Sequence, residues 1–194
     1  MQDVLEFLRT RRTYRRFWPK PVPEAVLRAC IEAARIVSCG ANRQTLKYAV
    51  IETPAAVAAV NQLVRWAAYL PPDQGRPAPD ETPTAFLAVF QDESLPGVND
   101  TDAGLALGSI TAATWGYGVG SCIMGAIDRE QIKALLGLAD QDRLRLHSVV
   151  ALGYPKHESR VVPMENGSVR YYLDENRDYC VPKRPEEEIL LTTV

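Results

Sequence analysis

Apolar residues recur along the chain with two different periods, and these periods predict where helices and strands lie. After Pro23, five apolar residues spaced by three and four positions form one stripe, which is typical of an amphipathic helix: Val26, Leu27, Cys30, Ile31 and Ala34. Pro23 suits the first helical position, because an N–H there would have no partner within the helix. The same spacing predicts helices over residues 2–10, 54–66 and 129–136.

Continuous apolar runs predict the strands. Residues 86–90 read Phe-Leu-Ala-Val-Phe, and a run without alternation is typical of a strand that is buried on both faces. Similar but shorter or less regular runs predict strands at residues 48–51, 119–127 and 146–152.

Two segments lack such patterns. Residues 69–83 contain five prolines and predict a loop, which is a candidate cover for a site. Residues 156–194 are predicted to form a polar, irregular C-terminal extension. A chain of 194 residues favours one domain, or a compact fused pair, and we assign residues 1–194 to a single domain.

A predicted helix over residues 100–116 carries small residues at every fourth position: Gly104, Gly108, Ala112 and Gly116. A glycine inside a helix costs about 0.5–1 kcal/mol relative to alanine, so several on one side indicate the close approach of another backbone. That backbone belongs either to another element of the same chain or to a second subunit.

Composition and charge exclude several classes of function. A net charge of −2 and a pI of about 5.8 argue against a nucleic-acid-binding protein. The N-terminus lacks the basic start and apolar core of a signal peptide, and no apolar run approaches the ~20 residues of a membrane span. The four cysteines show no metal-binding spacing, and with two histidines a metal site is not expected. These features favour a cytoplasmic protein with reduced thiols.

Two polar segments are candidates for chemistry. Residues 11–16 contain four arginines and Thr13, and guanidinium groups match the oxygens of a phosphate. The alternative is a solvated basic patch. About 25 residues later, Asn42 and Gln44 stand in a loop with Ser38 and Gly40, where amide groups suit the edge of a heteroaromatic ring, although Gln44 could serve only to order its own loop.

The sequence contains no recognisable catalytic set. Serine-hydrolase, zinc-protease and Walker-type motifs are absent, and no acid–base pair stands out. The glycines at positions 116, 118 and 120 follow a predicted helix instead of a strand, so they do not form a dinucleotide-binding turn. Because an enzyme without its own catalytic groups commonly uses a bound cofactor, we expect no catalytic side chain and a cofactor that performs the chemistry.

Taken in order, these segments resemble the nitroreductase family of flavoproteins. Residues 11–17, Arg-Arg-Thr-Tyr-Arg-Arg-Phe, are similar to the family's opening Arg-Arg-Ser-x-Arg-x-Phe. Residues 42–44 match its Asn-x-Gln, and residues 118–122, Gly-Val-Gly-Ser-Cys, are similar to its Gly-Leu-Gly-Thr-Cys turn. Further matches fall at residues 33–35, 102–106, 151–155 and 181–184. Each motif is weak alone, but their common order makes the resemblance specific.

The resemblance implies an α+β fold: a three-layer α-β-α sandwich with a mixed central sheet flanked by helices, assembled as a homodimer. It also implies FMN bound at the subunit interface, reduced by NADH or NADPH, with electrons passing to a nitroaromatic, a quinone or a related small-molecule acceptor by a ping-pong mechanism. The alternative is a flavin-binding protein that is not a general reductase, such as an FMN-consuming enzyme or a flavin store or sensor.

The resemblance further implies where FMN binds. Arg11, Arg12 and Thr13 match positions at the phosphate, and Arg15 matches the position near the pyrimidine edge of the ring. The loop that reaches the flavin from the other subunit corresponds to Ser38, Cys39, Gly40 and Asn42. The segment along the ring near N5 corresponds to Ile123, Met124 and Gly125, and the basic pair that closes on the phosphate corresponds to Lys183 and Arg184.

Several of these residues have structural alternatives. Arg12 and Arg16 could be plain surface charges, Met124 a core residue, and Lys183 and Arg184 solvated charges of the tail. Cys39 stands where the family has a serine, so a thiol beside the flavin is either redox-sensitive or an inert small residue.

Overall fold

A computed structural model of the chain describes residues 3–193. None of the helices in that range is long and apolar enough to cross a membrane. The helices are α1 (Val4–Thr10), α2 (Glu24–Ile36), α3 (Pro54–Gln62), α4 (Pro72–Gly75), α5 (Asp100–Gly116) and α6 (Arg129–Leu135). The strands are β1 (Phe17–Trp18), β2 (Leu46–Ile51), β3 (Ala85–Asp92), β4 (Gly120–Met124), β5 (Leu144–Pro155), β6 (Ser159–Pro163), β7 (Tyr172–Leu173) and β8 (Tyr179–Lys183).

The central sheet has five strands in the order β1-β5-β3-β2, with β4 paired to β5. Each of these pairs is antiparallel. The sequence predicted a mixed sheet; parallel pairing is instead found at an isolated bridge between Thr13 and Ser121 and between β6 and β8 of a second, smaller sheet. β3 lies in the middle, and its eight residues are all buried, as its continuous apolar sequence predicted.

Helices cover both faces of the central sheet and form two separate cores. On one face α2 and α5 pack against alternate strand residues, including Leu87 and Val89. On the other face α3 and α6 pack against the residues in between, including Phe86 and Phe90. Because successive side chains of a strand point to opposite faces, one apolar run serves both cores. This arrangement confirms the three-layer α+β fold.

The ends of the helices follow local sequence signals. The side chain of Asn99 accepts a hydrogen bond from the Asp102 N–H at the start of α5, at 2.8 Å. At the start of α6, Asp128 accepts from the Gln131 N–H at 3.0 Å, and the Gln131 side chain donates back to Asp128 at 2.6 Å. Each cap satisfies an N–H that has no partner within its helix. Pro23 immediately precedes α2 instead of being its first residue.

The prediction of an irregular C-terminal extension was wrong. Strands β6, β8 and β7 form a three-stranded sheet in that order, and Tyr179 and Cys180 are buried within it. Residues 69–83 are mainly loop, with α4 and one 3₁₀ turn, and they are fastened to the C-terminal region. Lys156 donates to Asp80 at 2.9 Å, and the rings of Tyr69 and Tyr171 lie 5.0 Å apart.

The small-residue stripe of α5 faces away from the rest of the described chain. A Cβ atom added to Gly104, Gly108 or Gly116 would have no described heavy atom within 4 Å outside its own helix and chain neighbours. The explanation that another element of the same chain approaches this stripe is therefore wrong for these three glycines. α1 also leaves its apolar side chains Val4, Leu5 and Leu8 exposed.

Gly153, in contrast, is required by close packing. A Cβ atom at this position would lie 2.8 Å from the side chain of Phe17, a fully buried residue of the neighbouring strand β1. We therefore expect Gly153→Ala to lower the free energy of unfolding by about 1–3 kcal/mol, since an extra methyl group must displace a packed ring.

Urea denaturation measures this effect, with Gly125→Ala as the matched control because the added methyl group meets no described atom there and the residue lies outside α5. A loss in Gly153→Ala no larger than in the control would contradict the packing argument.

Candidate functional site

A polar cavity of about 280 Å³ brings together side chains from four separate parts of the chain. Its lining consists of the arginine-rich segment, α5, β4 and the end of β8: Arg11, Arg12, Thr13, Thr111, Ser121, Ile123 and Lys183. Three of these residues are cationic, three carry hydroxyl groups, and none is acidic. The cavity therefore combines positive charge with hydrogen-bond donors.

The arginine-rich segment is fixed beside β4 by backbone and side-chain contacts. Thr13 bridges to Ser121, and the Tyr14 N–H donates to the Ser121 carbonyl at 3.0 Å. The Tyr14 ring stacks on Trp115 of α5, with ring centroids 5.3 Å apart. These contacts place residues 11–13 in the lining of the cavity.

Two guanidinium groups in the cavity have unused donors. The Nε atoms of Arg11 and Arg12 are buried and have no hydrogen-bond partner among the described residues. Arg11 does donate through another nitrogen to the hydroxyl of Thr111. Burial lowers the pKa of Arg12, and the nearby charge of Arg11 lowers it further. Because buried donors and like charges are unfavourable without an acceptor, the cavity fits an anion with several oxygen atoms.

A second group of predicted residues lies at the opposite end of α5, in the loop between α2 and β2. The Gly40 N–H donates to the Asp102 carboxylate at 2.9 Å, which ties this loop to the first turn of α5. Ala41, Asn42 and Gln44 all have positive φ values, between 49° and 53°. Such values are uncommon outside glycine and cluster at functional sites, since surrounding contacts must hold them.

The family model described as the nitroreductase family matches residues 8–154. This protein belongs to the nitroreductase family. The match confirms the resemblance that was read from the sequence motifs.

Individual relatives agree with this assignment. The chain is 29% identical over 185 residues to a protein named NADH dehydrogenase from Thermus thermophilus, covering 80% of this chain and 89% of that one. It shares its fold with a putative nitroreductase in complex with FMN from Desulfovibrio desulfuricans, with a TM-score of 0.67, 23% identity and coverage of 100% and 98%. An FMN-dependent nitroreductase from Clostridium difficile has the same fold, with a TM-score of 0.65, 17% identity and coverage of 81% and 90%.

Five residues that the family resemblance assigned to FMN line the same cavity: Arg11, Arg12, Thr13, Ile123 and Lys183. Arg12 is therefore a half-buried residue of the cavity lining, and Lys183 lines the cavity from the end of β8 although its side chain is exposed. Thr111 and Ser121 were missed. Thr111 lies beside the small-residue stripe of α5, and Ser121 follows a glycine-rich turn. Serine and threonine are common in both settings, so neither residue gave a strong sequence signal.

Arg184 and Arg15 lie elsewhere. The Arg184 guanidinium donates to Glu188 at 2.7 Å on the surface, so Lys183 alone of the basic pair reaches the cavity. The Arg15 guanidinium lies 4.7 Å from the ring centroid of Tyr171 and 4.8 Å from that of Tyr179. These cation–π contacts hold Arg15 against the C-terminal sheet. A contact between Arg15 and a flavin stays a prediction.

Arg16 is not a surface charge either. It is buried, with 6% of its surface exposed, and it donates to the backbone carbonyl of Arg177. Its role in the fold is therefore to join the arginine-rich segment to the C-terminal region.

The segment 123–125 divides among three environments. Ile123 is half exposed and lines the cavity, whereas Met124 is buried in the core between the sheet and helices α3 and α6. The carbonyl of Gly125 accepts from the Arg129 side chain at 3.2 Å. Met124 is thus a core residue in this protomer, and only Ile123 of the three borders the cavity.

None of the four predicted loop residues, Ser38, Cys39, Gly40 and Asn42, lines the cavity of its own chain. The Gln44 side chain donates to the Asn42 backbone and side-chain oxygens at 3.4 and 3.3 Å, so Gln44 orders its own loop. The Cys39 thiol accepts from the Gln44 N–H at 3.4 Å. A contact between this loop and a flavin in another subunit stays a prediction.

Proposed function

We propose that this nitroreductase-family protein is an FMN-dependent oxidoreductase that takes electrons from NADH or NADPH and passes them to a small-molecule acceptor. The observation that carries the proposal is the cavity at residues 11–13, where two buried guanidinium Nε atoms have no acceptor among residues 3–193. A phosphate monoester carries about −1.5 to −2 charges at pH 7 and offers three acceptor oxygens, which matches this surplus of cations and donors.

The residues of the cavity fit the phosphate of FMN. Arg11, Arg12 and Lys183 would supply the compensating positive charge. The hydroxyl groups of Thr13, Thr111 and Ser121 would complete the hydrogen bonds and orient the group. FMN, when bound, supplies the redox chemistry.

The comparisons support the choice of cofactor and donor. One structural relative was solved in complex with FMN, another is named an FMN-dependent nitroreductase, and the relative from Thermus thermophilus is named an NADH dehydrogenase. We accordingly propose NADH or NADPH as the donor, and nitroaromatic or quinone compounds as acceptors that react in a ping-pong sequence. The protein's own residues would bind and orient the two substrates in turn at the exposed face beside Ile123.

Anaerobic mixing tests this function. FMN-loaded protein is expected to lose its yellow absorbance on addition of NADH or NADPH and to regain it when a quinone or nitroaromatic is added. Free FMN at the same concentration is the control for reduction in solution. If neither donor changes the absorbance of FMN-loaded protein, the general reductase proposal fails and a flavin-binding protein without this activity is favoured.

We also propose that two copies associate through the small-residue stripe of α5. The stripe faces no other described part of the chain, and glycines in a helix need a close neighbour to offset their cost. Gly108→Leu is therefore expected to shift the protein from dimer to monomer, because a leucine side chain keeps the two backbones apart.

Sedimentation velocity over a range of concentrations measures this shift. Thr101→Leu is the matched control, since it adds the same side chain at an exposed position in the first turn of the same helix. Far-UV circular dichroism verifies that both variants fold. If the dimer fraction of Gly108→Leu equals that of the control, the interface does not lie at the stripe.

A further inference from the structure

Asp102 is a buried carboxylate that does not line the cavity of residues 11–13. Only 3% of its surface is exposed, and it lies in the first turn of α5. One carboxylate oxygen accepts from the Gly40 N–H at 2.9 Å, and the other accepts from the Asn99 side-chain amide at 2.9 Å. Burying a charge is unfavourable unless it is well bonded, so these two hydrogen bonds are what allow a carboxylate to be buried here.

The two donors explain why the residue is an aspartate. The Asn99 oxygen already accepts from the Asp102 backbone N–H, so the Asn99 amide can present only its NH₂ group to Asp102. The Gly40 group is also a donor. A carboxylate accepts through both oxygens, whereas an asparagine at position 102 would set its own NH₂ group against one of these two donors.

The loop that contains Gly40 makes few hydrogen bonds to the rest of the described chain. Residues 40–44 are exposed, and three of residues 41–44 adopt positive φ values. The other hydrogen bonds found for residues 39–44 in the described chain join residues of the loop to each other. The bond from Gly40 to Asp102 is therefore the hydrogen bond that fixes this strained loop to the rigid helix.

The position of Asp102 on α5 indicates whether the loop lies near the cavity of its own chain or near that of a second copy. Thr111, in the cavity, is nine residues further along the helix, which corresponds to about 14 Å. If two copies of α5 cross at the small-residue stripe around a two-fold axis that is perpendicular to them, they run antiparallel. The Asp102 end of one helix then lies beside the half of the other that contains Thr111.

We infer that Asp102 is a positioning residue: in one protomer it holds the Gly40 loop in the shape that contacts FMN bound in the cavity of the other protomer. This inference rests on the proposed function and on the proposed α5 interface. It differs from both, because it concerns a buried residue that does not line the cavity of residues 11–13 in its own chain. The inference gives this residue an effect on cofactor binding in a second chain.

Titration of the apo-dimer with FMN tests the inference in homodimers. Asp102→Ala is expected to weaken FMN binding by about 10- to 100-fold, since hydrogen bonds to charged groups are worth about 1.5–3 kcal/mol. Asp102→Asn, which keeps the size and loses one acceptor, should weaken it by about tenfold. Asp100→Asn is the matched control, because Asp100 is an exposed carboxylate in the same helical turn, and its affinity should stay within about twofold of wild type.

A mixed dimer separates positioning in the second chain from a general loss of stability. One chain carries Arg11→Ala, the other carries Asp102→Ala, and two different affinity tags isolate the mixed species. The cavity of the Asp102→Ala chain keeps Arg11 and faces the loop of the Arg11→Ala chain, in which Asp102 is intact. The other cavity lacks Arg11 and faces a loop without Asp102. We expect one tightly bound FMN per mixed dimer, and none in either homodimer of the variants.

The outcomes distinguish this inference from the proposals on which it rests. A wild-type protein that does not bind FMN tightly would overturn the proposed function and this inference together. Tight binding by wild type with no tight site in the mixed dimer would overturn the Asp102 inference alone. So would Asp102 variants whose FMN affinity equals that of Asp100→Asn.

Discussion

Arg11→Ala is expected to weaken FMN binding by about 30- to 1000-fold, which corresponds to about 2–4 kcal/mol, while riboflavin binding changes little. Arg11 has a buried Nε atom without an acceptor in the described part of the chain, and the residue lines a cavity with Arg12 and Lys183. A phosphate placed there loses a desolvated cationic partner when Arg11 is removed. Riboflavin lacks the phosphate, so it has no such contact to lose.

Titration of the apo-protein with FMN and with riboflavin measures both affinities for each variant. Lys183→Ala and Arg184→Ala form a matched pair, because the two cations are adjacent in sequence but only Lys183 lines the cavity. Lys183→Ala should resemble Arg11→Ala, and Arg184→Ala should resemble wild type. Equal affinity of the wild-type protein for FMN and riboflavin would refute phosphate recognition at this cavity.

The second large effect concerns the stability of the protein in acid. His157 is buried, and its ring makes two directed hydrogen bonds: Nδ1 lies 2.7 Å from the Glu158 carbonyl, and Nε2 lies 2.9 Å from the Arg15 N–H. These partners require a neutral ring that donates through Nδ1 and accepts through Nε2. Burial lowers the pKa of His157 from 6.5 to about 4.

The direction of the pH effect follows from this lowered pKa. Below pH 6.5 the histidine of the unfolded chain takes up a proton, whereas in the folded protein it stays neutral until about pH 4. The stability contributed by the neutral ring is therefore present above pH 6.5 and is lost as the pH falls to 4. The loss amounts to about 3 kcal/mol at most, since one pKa unit corresponds to about 1.4 kcal/mol.

Urea denaturation at pH 7 and at pH 4.5 measures this loss in wild type and in His157→Gln. Glutamine does not titrate, and its amide oxygen can accept from the Arg15 N–H as Nε2 does. We expect the variant to lose less stability on acidification than wild type, while His147→Gln, at a less buried histidine, should behave more like wild type. An equal loss in His157→Gln and wild type would show that His157 does not control the acid response.

The elements of the central layers could be predicted from the sequence because their signals are local. The apolar run of β3, the small-residue helix α5 and the capping residues of α6 each lie within a few neighbouring positions. A repeat of four predicts one side of a helix, and a run without alternation predicts burial on both faces of a sheet. For the same reason the arginine-rich motif was visible, since residues 11–13 are adjacent and carry the family's signature.

The complete cavity required the tertiary structure. Arg11 and Thr111 are 100 positions apart, and no local pattern reports that they meet. Ile123 and Met124 are both apolar neighbours, but the alternation of β4 turns one toward the cavity and the other into the core. Lys183 and Arg184 are likewise adjacent cations in the sequence, but only Lys183, at the end of β8, lines the cavity.

The sequence by itself determined the family, the main helices and strands of the central layers and the arginine-rich motif, because periodicity and short motifs are properties of adjacent residues. The tertiary structure decided which hydroxyl groups join the arginines, how Asp102 holds the Gly40 loop, and that the C-terminal residues form a sheet. Those outcomes depend on how distant segments pack, and packing is settled by the shape and charge of surfaces that exist only after the chain has folded.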